Sequence, residues 1–170
     1  MKCTCFVPLI AQIISAMENG LLHLHNFMRW VVMLFVILTL VKSMSGMGGK
    51  KAFTAGDKKV AMFMMISADI QLLLGLALYF MKGWFSVLTG GNLNMSDKYQ
   101  RFWSIEHMTG MLIAIILIHI AYSAAKKNIP DAAKFKKLFW FTLVALLVIL
   151  ITIPWPGREL IGRPMFPGMH

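Results

Sequence analysis

Four long apolar stretches punctuate the chain, at about Phe27–Met44, Val60–Met81, Ile105–Ala124 and Leu138–Pro154. The first carries the run VVMLFVILTLV. Each has about 17–22 residues, the length that lets a helix cross a hydrocarbon core about 30 Å thick. None alternates with the period of two that marks a membrane β-strand. In lipid every backbone N–H and C=O must be paired within its own segment. The pattern therefore predicts an all-α polytopic membrane protein, an up-down-up-down four-helix transmembrane bundle. The expected layout is a leader or extension at 1–20, a four-helix membrane domain at 21–156 and a tail at 157–170. The segment MKCTCFVPLIAQIISA pairs a positive start with a short apolar run, as a weak signal peptide does. Met17 offers an alternative start.

Composition sharpens the class. Of 170 residues, 58% are hydrophobic and 14% charged, against about 45–50% and about 25% in soluble domains. A soluble enzyme and a disordered tail are both disfavoured. The formal net charge of +10 is placed by the loops rather than by nucleic acid, so the lipid bilayer is the expected partner. Lys42, Lys50, Lys51, Lys58 and Lys59 follow the first span against Asp57. Lys126, Lys127, Lys134, Lys136 and Lys137 follow the third against Asp131. The second linker has only Lys82, Lys98 and Arg101, with Asp97. Cytoplasmic loops carry the excess of lysine and arginine, so both lysine-rich loops are expected in the cytoplasm of a bacterial inner membrane and both termini in the periplasm. Trp84, Trp103 and Trp155 fall at expected outer ends and Trp140 at an inner one, as interfacial anchors do. Cys3 and Cys5 are the only cysteines. A Cys-x-Cys pair can bind a soft metal, but two thiols do not close a structural zinc site. Small residues such as Gly75, Gly110 and Ala114 are expected where helices approach closely.

Ionisable residues inside a membrane are costly and point to function. The candidates are His23, His25 and Arg29 in the first span, Asp69 and Gln71 in the second, and Glu106, His107 and His119 in the third; His170 is terminal. At about 1.5 Å per residue, His25 lies roughly 25 Å and His107 roughly 28 Å from the lysine-rich edge. Two imidazoles on parallel helices thus stand at one height near the outer face. That is the requirement of a bis-histidine haem b, although an interfacial pair, a proton path or a transient metal site would meet it too. His23 and His25 are about 200° apart, and His25 shares its face with Arg29. Arg29 either binds a haem propionate or extends to the headgroups. Glu106 is expected to pair with Arg29 or Arg101, or to orient a water. Asp69 and His119 fall near one height in the membrane and are expected to hydrogen-bond, as a structural pair or a proton relay; Gln71 faces elsewhere. The many methionines, Met62, Met64, Met65, Met108 and Met111 among them, suit flexible packing, with an axial ligand at Met108 or Met111 as an alternative.

The segments His25-x-x-x-Arg29-Trp30, Ser67-Ala-Asp-Ile-Gln-Leu-Leu-Leu-Gly75, Arg101-Phe-Trp-Ser-Ile-Glu-His107, Ile153-Pro-Trp-Pro156 and Gly162-Arg163-Pro164 resemble a family of small bacterial four-helix membrane proteins labelled cytochrome b-like. The resemblance covers about residues 20–166. It implies His25 and His107 as haem ligands. The two evenly spaced histidine pairs of respiratory cytochromes b are absent. The expectation is one haem near the periplasmic face and one-electron transfer with a quinol or another membrane subunit. The alternatives are a cofactor-free accessory or assembly subunit and a small proton-coupled transporter using Asp69 and His119.

Overall fold

The computed structural model describes residues 6–166, with side chains from Leu9 onward; Cys3, Cys5 and His170 lie outside this range. Within it the chain is all-helical. Six α-helices follow one another: α1 Phe6–Gly46, α2 Ala55–Met81, α3 Trp84–Thr89, α4 Lys98–Arg101, α5 His107–Lys126 and α6 Asp131–Thr152, with a π-helical turn at Phe102–Glu106 leading into α5. Four helical stretches are long and apolar enough to cross a membrane: Leu9–Gly46, Ala55–Met81, Lys98–Lys126 and Asp131–Thr152. They form a four-helix bundle.

The first helix departs most from expectation. It is continuous over 41 residues, about 60 Å, so the segment expected as a leader or extension up to residue 20 is, from Phe6 onward, one helix with the first span. Glu18 pairs with Lys82 at the end of α2, which ties this extension to the bundle.

Pairing along the helices fixes their direction. Glu18 meets Lys82, His25 meets Gln71 and Lys42 meets Asp57. As numbers rise on α1 they fall on α2, so the two are antiparallel. α2 and α5, α5 and α6, and α6 and α1 are the other neighbouring pairs. Phe53 N–H donates to Asp131 Oδ2 at 2.9 Å, which brings the two lysine-rich loops to one end of the bundle. At that end Thr54 and Asp57 form a reciprocal capping box on α2. The buried Asp57 carboxylate also faces Lys42 at 3.3 Å and Lys51 at 3.6 Å.

Small side chains line the centre. Ala61 and Ala68 of α2, Ala114 and Ala121 of α5, and Ala145 of α6 are buried beside Val36, Met64, Ile118 and Leu138. Without a hydrophobic drive between helices in lipid, such residues give the close backbone approach on which packing depends. The outer faces are apolar instead. Leu73, Ile116 and Ile151 are exposed, as a lipid-contacting surface requires.

Candidate cofactor site

α6 ends where proline makes it end. The residue before a proline avoids the helical region, and Ile153 precedes Pro154 with ψ of 133°. Pro154 and Pro156 also lack backbone N–H groups, so the carbonyls of Leu150 and Thr152 lose their regular helical donors. Each finds another. Trp155 Nε1 donates to Leu150 O at 2.8 Å, and His107 Nδ1 lies 3.2 Å from Thr152 O. Taking the carbonyl as acceptor puts the His107 proton on Nδ1 and leaves Nε2 with a lone pair. Nε2 makes no hydrogen bond among the described residues. Arg158 Nη1 serves the carbonyls of Ile151 and Ile153 at 3.1 and 3.3 Å.

The π turn delivers His107 to this place. Its backbone N–H reaches Phe102 O, five residues back. A π turn inserts one residue into the helical register and often marks a functional site. It also frees a carbonyl. Tyr79 of α2 donates its hydroxyl to Ser104 O at 2.8 Å. Gly110 completes the approach of α5 to α6, since a Cβ there would stand 2.5 Å from Thr152 Oγ1.

His25 comes to the same place from α1. His23 is exposed, whereas His25 turns inward. A Cβ on Gly75 of α2 would lie 3.0 Å from His25 Cε1, so only glycine leaves full room for the ring. Gln71 Nε2 lies 3.2 Å from His25 Nε2. The amide N–H can only donate, which makes that ring nitrogen the acceptor. The face that Gln71 presents away from Asp69 is thus the inner one.

His25 and His107 line one cavity between the four long helices, with a volume of about 130 Å³. Leu72, Ala114, Ile115 and Ile149 form apolar walls, and Met108 and Met111 are adaptable parts of the lining. Arg29, Lys82 and Arg163 bring positive charge to it. Four polar atoms around the cavity are buried without a partner: His25 Nδ1, Arg29 Nε, Gln71 Oε1 and Trp103 Nε1. Buried polar groups are normally paired, with water as well as with protein, so these atoms are available to whatever fills the cavity. Arg29 Nε and Trp103 Nε1 can only donate, so the occupant must bring acceptors to them.

The tail closes over this end. Arg29 Nη2 donates to Met165 O at 2.7 Å and to Pro164 O at 3.4 Å, and Trp30 Nε1 donates to Met165 O at 2.9 Å. Trp30 stacks on Phe166 with ring centroids 5.4 Å apart. Arg163 donates to Tyr99 Oη at 3.2 Å and sits over Trp103, 5.1 Å from its ring centroid. Trp84 and Trp103, expected as interfacial anchors, also line the cavity.

No protein-family model, curated protein or solved structure matches the chain.

The remaining expected residues lie outside the cavity lining. Glu106 Oε1 accepts from Arg101 Nε at 2.7 Å, so Arg101 rather than Arg29 is its partner. Asp69 and His119 are brought together, with Asp69 Oδ1 2.7 Å from His119 Nε2. Their side chains are 39% and 46% exposed, on the surface that α2 and α5 turn outward.

The sequence did not show that Gln71, Trp103 and Arg163 line the cavity, or that the Thr152 carbonyl would meet His107. The two prolines were the available signal, because each removes a donor and so leaves a carbonyl to be satisfied from elsewhere.

Proposed function

We propose that this protein is a b-type-cytochrome-like membrane protein that binds one haem near the periplasmic face and takes part in one-electron transfer. The observation that carries the reading is that His25 and His107, from α1 and α5, line one cavity beside partnerless buried polar atoms. Among the described residues no three His, Cys, Asp or Glu side chains gather as a site for a bare metal ion. Two imidazoles suit an iron whose other four ligands come from a porphyrin.

In this reading His25 and His107 hold the iron, and the haem supplies a reversible one-electron couple. The chain orients and tunes it. The Thr152 carbonyl fixes the His107 tautomer and ring plane, the kind of support that metal-bound histidines receive. Gly75 clears space for the His25 ring. Arg29, Trp103 and Arg163 would offer donors to the haem's carboxylates. An engineered cavity of about 150 Å³ accepts only a benzene-sized ring, so to admit a porphyrin beside His25 and His107 the cavity of about 130 Å³ would have to widen, with Gln71 leaving His25 Nε2 and Met108 and Met111 repacking. The cytochrome b-like resemblance and the lysine-rich loops favour a bacterial inner membrane with both termini in the periplasm.

The test is an absorption spectrum of the protein purified after expression with ample haem. A Soret band at one haem per chain is expected, lost in His25→Ala and in His107→Ala and kept in His23→Ala. A haem-free protein under these conditions overturns the reading in favour of an accessory or assembly subunit.

A further inference from the structure

Asp69 and His119 form a polar pair where polarity is expensive. Asp69 lies ten residues beyond Lys59, about 15 Å along α2, and His119 lies seven residues before Lys126, about 10 Å along α5. Both are thus well inside a hydrocarbon core about 30 Å thick. The pair is joined at 2.7 Å, yet 39% of one side chain and 46% of the other remain exposed. Asp69 Oδ2 and His119 Nδ1 make no hydrogen bond among the described residues. An outward-facing carboxylate and imidazole are reached there only by something dissolved in lipid.

We propose that this dyad is the docking point for the head of a lipid-soluble quinone or quinol. A quinol hydroxyl can donate to Asp69 Oδ2, and a quinone carbonyl can accept from His119 when Nδ1 carries the proton. The dyad thus offers a partner to the head in either oxidation state, Asp69 to the quinol hydroxyl and His119 to the quinone carbonyl. The alternative occupant is a helix of another membrane protein. The surroundings oppose it, because helix–helix contacts in membranes favour small residues. Here Ile66 and Leu73 on α2 and Leu112 and Ile116 on α5 are large and exposed. They offer an apolar surface for an isoprenoid tail instead.

Position gives the site its use. Ala68 and Ile118, the chain neighbours of the dyad residues, line the central cavity. A head group on the dyad therefore sits on the outside of the same wall, about one helix diameter, roughly 10 Å, from the cavity. Binding itself does not depend on the haem reading; only a role as electron partner does.

The experiment is photolabelling of the full chain in lipid nanodiscs with an azido derivative of a short-chain ubiquinone, followed by peptide mapping. Label is expected on α2 around Asp69 and on α5 around His119, displaced by excess unlabelled quinone. The double variant Asp69→Leu/His119→Leu should reduce it roughly tenfold, the worth of hydrogen bonds to a charged group. Label spread evenly over the apolar surface of the wild-type chain overturns the proposal, whether or not the variant folds. So does unchanged label in a folded double variant, and so does a double variant that only dissociates a complex with another chain. His25→Ala should keep the label while losing haem, so the two readings fail separately.

Discussion

His107 owes its tautomer to a carbonyl that the fold left unpaired, and His25 owes its room to a missing side chain. Each dependence makes a prediction at a single residue. Gly75→Val places a branched side chain where a Cβ alone would come within 3.0 Å of the His25 ring. Overpacking of this kind costs about 1–3 kcal/mol, and here the ring is what must move. Haem content should fall sharply while the variant still purifies as a folded protein, as checked by absorbance ratio and thermal melting. Tyr79→Phe removes the donor to Ser104 O and leaves a buried carbonyl unpaired. It should cost about 0.5–1.5 kcal/mol, read as a lower melting temperature. The choice of His25 over His23 was legible because a helix turns about 100° per residue and Arg29 marks the shared face. Gln71 was not. Its angular separation from Asp69 said where it did not point, but only packed helices show that the opposite direction holds an imidazole.

At the scale of elements, the four spans could be read from apolar length, because lipid leaves a backbone no alternative to helix. The beginning of α1 could not. Polar residues such as Glu18 and Asn19 interrupt the hydrophobic run without stopping the helix, since Lys82 answers Glu18. The π turn was equally hidden. It is a change of register that no residue type announces, although it aims His107. The capping box on α2 belongs to a different part of the molecule and supplies a control. Asp57→Ala leaves Thr54 as the N-cap but removes the returning half of the capping box and a buried carboxylate that two lysines face. The lysines are well exposed, so the pairs add little, and the lost hydrogen bonds from Thr54 to the carboxylate account for about 1.5–3 kcal/mol. Melting should drop by a few degrees. Haem content should not change, because Asp57 sits at the lysine-rich end and the cavity lies beyond it.

Across the whole molecule, one end gathers the lysine-rich loops and the other gathers the cavity, the aromatic rings and the folded tail. The orientation proposed for that polarity is tested in cells with a membrane-impermeant thiol reagent, after Cys3 and Cys5 are replaced by serine. Ser96→Cys should react in intact cells whose outer membrane is permeable to the reagent. Ala52→Cys should react only once the inner membrane is opened. The reverse pattern would invert the topology and put the cavity on the cytoplasmic side. The central claim is that two imidazoles from different helices hold one iron, and electron paramagnetic resonance of the ferric protein addresses it most directly. The wild type should give a low-spin signal of two axial imidazoles, converted to high spin or lost when His25 or His107 becomes alanine. A low-spin signal that survives replacement of both histidines, or no ferric haem signal in the wild type after reconstitution, would contradict the account.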